Sequence, residues 1–305
     1  MNGWMCGLID ESNSFSMSSC HYVIITEIRL FPSLQFYENL LTDAIEIDRD
    51  DQSTVRIALP KSKQIDQSLQ HLLRYHKNNN NDDRSAVIQL DPIKFFDIRQ
   101  SKEYLSGTSY QNDSEVEFIA NLLEQTLCYL RSYSIAIISP YSSQVRSMKN
   151  KMRSNDVISE DQKDRKTRLM EIDVNTIDGF QGREKDIIIF STVRSDITSN
   201  NNHNNSHHHH GHSGIGFVSD ERRLNVAITR AKRLLIIVGN SLTLSRDSTW
   251  NNLLSSLNNR GYITIASPTT FNVKNQGEIL TQLSSTVPQE VKDRSVRIHT
   301  VDCRK

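Results

Sequence analysis

At 305 residues, with 36 % hydrophobic content and a mean hydropathy of −0.51, the chain holds enough apolar surface for one sizeable core plus long solvent-facing connections. Lys and Arg together number 36, as do Asp and Glu, so the formal net charge is zero and a globally basic nucleic-acid binder is not indicated; only local patches remain to be found. No apolar run approaches the ~18 residues that span a bilayer, no basic-then-hydrophobic leader opens the chain, and Cys6, Cys20, Cys128 and Cys303 are too widely spaced for a metal or redox motif. Membrane insertion and secretion are not expected, and the thiols read as reduced cysteines of an intracellular protein.

Residues 1–30 form a poorly defined leading segment, serine-rich and without a clear period over 1–20. Residues 48–83 read as a polar connector with a helix over 64–75 and an asparagine run at Asn78 to Asn81 that cannot bury enough apolar surface to order itself. Strands are expected over 86–90 and 93–98. Asn112 or Ser114 then caps a helix to about 131 with Val116, Ile119, Leu122, Leu123 and Leu130 on its apolar side, and Asn112 and Glu115 stand at the spacing of a capping box.

A second buried strand over 134–139 is followed by a helix over 142–152. Through Arg153 this stretch carries Arg146, Lys149, Lys151 and Arg153 with no acid among them. Such a cluster is either a solubilising face or a track for a phosphate backbone. After a mixed-charge connector comes a short strand over 171–175, then a turn-rich loop, Thr176 to Glu184, with Gly179 and Gly182. Its glycines either simply turn the chain or let the backbone approach and cradle a phosphate. Asp186 to Val193 is nearly all apolar and fits a strand buried on both faces of a parallel sheet.

Residues 201–212, NNHNNSHHHHGH, interrupt the pattern with six histidines among asparagines, which reads as an expanded loop in preference to a metal site. Asp220 caps a helix over 221–232 with Leu224, Ala227, Ile228 and Ala231 on one stripe, and Arg222, Arg223 and Arg230 together on another. That arc is either a solvated face or a set of planar guanidiniums suited to the equatorial oxygens of a transferring phosphoryl group. An apolar strand over 234–238, a helix over 247–257 and a strand over 262–265 follow, then a polar tail over 266–305. Alternating strands and helices predict an α/β fold with a parallel sheet covered on both faces. Ligands are expected beyond the carboxyl ends of its strands, where the loops after Ser139, around 176–184 and at the start of the arginine helix can gather.

VNTIDGFQGREKDIIIFSTVRS followed by GIGFVSDERRLNVAITRAKRLLIIVGN closely resembles the last two signature motifs of superfamily 1 helicases, in the up-frameshift and senataxin-like branch. FPSLQFYENLL, IKFFDIRQSKEYLSGTSYQNDSEVEFI and IAIISPYSSQVRSMK are similar to the family in the same order, so the resemblance runs from about Phe31 to about Tyr262. It implies a C-terminal RecA-like (AAA-type) motor domain over 31–265, with low-complexity insertions near 78–83 and 199–213. It further implies that ATP and magnesium bind between this domain and a first RecA-like domain, supplied in cis or in trans, and that single-stranded RNA or DNA is the track.

By that resemblance Arg230 stabilises charge on the γ-phosphoryl group, and Arg223 is a nucleotide contact or a partner for Glu184. Glu184 contacts the ATP ribose or the active-site network, with Gln181 and Gly182 beside it in the nucleotide site, and Thr176 contacts nucleic-acid phosphate, so that one loop touches both ligands. Ser139, Tyr141 and Gln144 lie on the nucleic-acid side or at the domain cleft, and the basic cluster with Arg146 and Lys149 is the strand-facing candidate beside them. No metal-ligand set is expected within the chain.

Two departures matter. The arginine motif that precedes FPS in the family is present only at its end, and Arg29 does not match its position. No G-x-x-x-x-G-K-[ST] occurs, so the chain alone is not expected to hydrolyse ATP efficiently. LIDES at Leu8 to Ser12 is similar to a magnesium-holding acidic motif but follows no hydrophobic strand. The reading is a C-terminal helicase motor domain, with a non-catalytic nucleic-acid-binding module as the alternative.

Overall fold

The computed structural model describes residues 26–41, 55–58, 73–77, 84–127, 129–153, 167–195, 215–267 and 283. Six strands form the central sheet: β4 (Ile93–Asp97), β7 (Ile135–Ser139), β8 (Asp173–Thr176), β9 (Lys185–Ser191), β10 (Ala231–Gly239) and β11 (Ile263–Ile265). Their order is β11-β4-β10-β9-β7-β8, and every neighbouring pair is parallel. Three short strands, β1 (Arg56–Ala58), β2 (Leu73–Lys77) and β3 (Arg84–Gln89), make a separate antiparallel sheet. A hairpin, β5 (Tyr104–Ser106) and β6 (Ser109–Gln111), follows β4.

The unbroken apolar runs follow from burial on both faces. Side chains alternate across a strand, so in β9 and β10 Ile187, Ile189, Leu234, Ile236 and Val238 enter one core while Ile188, Phe190, Leu235 and Ile237 enter the other. Helices α2 (Asp113–Thr126) and α3 (Ser142–Arg153) cover the first core with Phe118, Ile119, Leu122, Met148 and Met152. The second is covered by α1 (Thr26–Phe36), α4 (Glu221–Ile228) and, beyond the short α5 (Ser241–Leu244), α6 (Ser248–Asn259), through Ile28, Phe31, Leu224, Ala227, Ile228, Trp250 and Leu253. Helix starts are fixed by side-chain oxygens. Asp220 accepts from the Arg222 and Arg223 amides at 2.9 and 3.2 Å, and Asp247 accepts from Thr249 and Trp250 at 3.0 and 3.1 Å.

The parallel α/β expectation holds, with three local corrections. The arginine helix ends at Ile228, because Ala231 already pairs with Lys185 as the first residue of β10. Helix α2 stops at Thr126, short of 131. Residues 73–75, expected at the end of a helix, belong instead to the strand 73–77 paired with β3, a long-range pairing that overrides local propensity. Residues 1–25, with LIDES, the asparagine run, the histidine-rich insertion and nearly all of the tail lie outside the described residues, while residues 26–30 of the leading segment open α1.

Ile189 sits in β9, between β7 and β10, and is almost wholly buried. Ile189→Ala is expected to lower unfolding free energy by about 2–5 kcal/mol. Leu242→Ala, at a side chain 55 % exposed, should stay within about 0.5 kcal/mol of the parent. Melting temperature and denaturant midpoint check both.

Candidate nucleotide and nucleic-acid edges

Because all six strands run the same way, the sheet has one carboxyl edge and one amino edge, and the candidate residues divide between them. At the carboxyl edge Ser139 and Thr176 are register partners, and the Ile177 amide donates to the Ser139 carbonyl at 3.1 Å. The Thr176 hydroxyl accepts from the Gly179 amide at 3.1 Å, which closes a tight turn there. A Cβ on Gly179 would meet that hydroxyl at 3.1 Å, so glycine permits the turn. Phe180 then plunges into the second core, and Gly182 takes the left-handed conformation with φ +77°.

The loop does not stay at the carboxyl edge. By the register of β7 with β8 and β9, Lys185 stands about six residues, or roughly 20 Å, back along the strands from Thr176. Residues 177–184 are therefore a strap that crosses the sheet from edge to edge. At its far end the Lys185 amide donates to the Arg230 carbonyl at 3.1 Å.

Helix α4 runs in the same sense as the strap. Its first turn is tied to the strap's start by Arg223, whose guanidinium donates to both Asp178 carboxylate oxygens at 3.1 and 3.0 Å. The expected alternative partner, Glu184, is instead 3.8 Å from Lys232. Past its last turn, Arg230 donates from Nε to the Val226 carbonyl at 3.1 Å and from Nη2 to the Thr229 hydroxyl at 3.2 Å. These bonds place a half-buried cation at a helix carboxyl terminus, where the orphan carbonyls favour it. No carboxylate of the described residues pairs with it. The three arginines thus do not share an arc: Arg222 and Arg223 open the helix, and Arg230 follows its end.

Of the residues expected on the nucleic-acid side, Arg146 is exposed and Lys149 and Thr176 are partly so, whereas Ser139, Tyr141 and Gln144 are buried. Gln144 accepts from the Asn112 amide at 2.8 Å and donates to the Asn112 carbonyl at 3.2 Å and the Ser191 hydroxyl at 2.9 Å. Tyr141 donates to the Ile215 carbonyl at 3.3 Å, and burial pushes its phenol pKa up. In the nucleotide set Gln181 and Gly182 are exposed and Glu184 is half-buried. Lys149 also lines a cleft of about 810 Å³ outside β8, shared with Arg153, Arg183 and Lys185 and with the acids Glu171 and Asp173. Arg29, near the position of the truncated arginine motif, donates to the Leu41 carbonyl.

Sequence reasoning missed Glu115. The capping-box spacing is half true: Asn112 accepts from the Glu115 amide at 3.3 Å, but the Asn112 amide is taken by Gln144. The Glu115 carboxylate turns inward, accepting from the Ser191 hydroxyl at 2.6 Å and the Val193 amide at 3.0 Å. Val193 has φ +72°, a costly conformation for a β-branched residue, and Asn112 fixes its carbonyl from the other side at 2.9 Å. The sequence signal was available, since Glu115 shares the inward stripe of α2 with Ile119 and Leu122. Among the described residues no group of three or more His, Cys, Asp or Glu side chains gathers as a metal site, and no helix is long and apolar enough to cross a membrane.

A family model described as an AAA domain matches residues 6–242. The chain is 34 % identical over 251 residues to "Probable helicase MAGATAMA 3" of Arabidopsis thaliana, covering 80 % of this chain and 24 % of that protein. It is 29 % identical over 286 residues to "Helicase sen1" of Schizosaccharomyces pombe, covering 92 % and 14 %. Against "Regulator of nonsense transcripts 1" of Dictyostelium discoideum it is 34 % identical over 237 residues, covering 76 % and 14 %. The chain thus spans a quarter or less of the length of these relatives.

Burial raises the Glu115 pKa from 4.5 to about 8, opposed in part by the hydrogen bonds from Ser191 and Val193. The folded state therefore holds this proton more tightly than the unfolded chain. The stability it contributes is fully present below about pH 4.5 and is lost as pH rises toward 8. Glu115→Gln should flatten the stability profile across that window. Chemical denaturation of both proteins at several pH values checks this, and parallel profiles would contradict it.

Proposed function

The chain belongs to the superfamily 1 helicases of the up-frameshift and senataxin-like branch, and on that premise we propose that it is the second half of an ATP-driven motor on single-stranded nucleic acid. Its amino edge faces the nucleotide and its carboxyl edge faces the strand. The observation that carries this reading is the strap of residues 177–184, one short peptide with Thr176 at one edge and Glu184 beside Arg230 at the other.

ATP and magnesium belong to the chemistry of the family; ATP supplies the phosphoryl group whose transfer to water drives the cycle. Arg230 fits a phosphate, being a cation without a carboxylate partner among the described residues and held by neutral acceptors alone. Its planar fork donates to the charge on the γ-phosphoryl oxygens from across a cleft that a first RecA-like domain completes. Glu184, Gln181 and Gly182 orient the nucleoside end. Thr176, Arg146 and Lys149 hold the strand by its phosphates, the contacts that dominate such affinity. Ser139, Tyr141 and Gln144 serve that edge from beneath, by bracing α3 and the loops after β7 and β9. Arg223 acts through Asp178, holding the start of the strap to the start of α4. The protein works inside the cell, in nucleus or cytoplasm, on RNA or DNA.

A second reading, a binding module that keeps the strand edge without the motor, is favoured by one observation: the arginine motif that precedes FPS in the family is present only at its end, and Arg29 does not match its position. The two readings separate on turnover. With a Walker-bearing first RecA-like domain supplied, strand-stimulated ATP hydrolysis is expected, and Arg230→Ala should lower kcat by at least about 10³-fold with strand affinity unchanged. Hydrolysis indifferent to Arg230, or none with the first domain present, would leave the binding module as the function.

A further inference from the structure

One aromatic side chain at the carboxyl edge is neither packed away nor explained by the roles above. Phe217, in the 3₁₀ turn Gly216–Ser219, is 58 % exposed. It is nevertheless held. Its ring lies 6.0 Å from that of buried Tyr141, tilted by 44°, and the Arg223 guanidinium carbon is 5.0 Å from its centroid. Arg223 is itself fixed by two hydrogen bonds to Asp178, so the cation beside the ring is oriented.

The backbone behind the ring is fixed as well. Gly216 has φ +65°, and a Cβ there would meet the Arg194 Nη1 at 2.8 Å and the Tyr141 hydroxyl at 3.2 Å. Only glycine allows the turn to press so closely on that pair. Arg194 in turn lies 4.3 Å from the centroid of Tyr110, whose ring meets Tyr141 edge-on at 5.6 Å, and pairs with Glu103 at 2.9 Å. A row of three rings, Tyr110, Tyr141 and Phe217, with Arg194 at one end and Arg223 at the other, therefore reaches the surface in Phe217.

We propose that Phe217, backed by Arg223, is a stacking platform for one unpaired nucleobase of the bound single strand. The surroundings select this occupant. Close to the ring in sequence or contact stand Asp178, Asp220, Arg222 and Arg223, a charged rim that would be costly to bury under a protein partner. A single flat base needs only the ring face. Every base has a π-face, and a nearby arginine adds a cation–π contribution. The position is also right for a strand whose phosphate meets Thr176, since Asp178, the anchor of Arg223, is two residues along the same strap. The inference rests on the reading of the carboxyl edge as the strand-facing edge.

The test measures affinities of the full chain for RNA and DNA 12-mers of one sequence at fixed salt, with wild type, Phe217→Ala and Phe217→Trp. Phe217→Ala is expected to weaken binding about 5- to 150-fold on both strand types, while Phe217→Trp binds at least as well as wild type. Oligonucleotides carrying a single abasic residue, walked along the strand, should show one position at which the Phe217→Ala defect disappears. Melting temperature should be unchanged, because the ring is mostly outside the core. Wild-type binding undiminished by Phe217→Ala, or equal losses for Ala and Trp, would overturn the stacking role and leave the edge assignment standing. Absence of strand binding by the wild type would overturn both.

Discussion

Six strands that all point one way leave the chain a recurrent problem: after each strand it must travel back to the opposite edge of the sheet before it can begin the next. Most of the return paths here are helices that bury an apolar stripe. The return between β8 and β9 is different. Residues 177–184 have a 3₁₀ turn and two buried anchors, Ile177 and Phe180, to hold them against the sheet. That economy makes a peptide of eight residues touch both edges. Helix α4 makes the same journey alongside, with Arg223 at its start and Arg230 past its end. The two edges are therefore joined by a short covalent path and by a parallel helix.

The carboxyl edge is stiffened by buried polar chemistry. Asn112, Glu115, Gln144 and Ser191 satisfy one another and the backbone of Val193, so polar groups in a dry place are paired instead of orphaned. The strained φ of Val193 is held from both sides, by Glu115 on its amide and Asn112 on its carbonyl. The next residue is Arg194, the cation packed between Glu103, Tyr110 and Tyr141. Residues 192–195, which follow β9, are thereby held by buried polar contacts. Gln144 and Tyr141 belong to this bracing, which explains why they lie inside the edge and not on it.

Legibility in the sequence tracked how local the determining physics was. The runs Ile187 to Phe190 and Leu234 to Val238 announced doubly buried strands, since a half-exposed strand would alternate in polarity. Asp220 announced its helix because capping is decided within three residues. The end of that helix was not readable: Ala231 suits a helical stripe as well as a strand, and pairing with Lys185, 46 positions away, decides for the strand. Residues 73–75 fail for the same reason. The division of the candidate residues between two edges was also hidden, because it depends on strand direction and register. Glu115 was read through its spacing to Asn112, and the Val193 amide that claims it lies 78 residues away.

Single-strand binding by the purified chain across a salt series distinguishes the two edges. Arg146→Ala/Lys149→Ala should weaken binding and shallow the slope of log affinity against log salt by about 1–2, while Arg230→Ala leaves both unchanged. Equal losses from the two variants would contradict the account, since a strand that senses Arg230 as it senses Arg146 and Lys149 cannot be confined to the carboxyl edge.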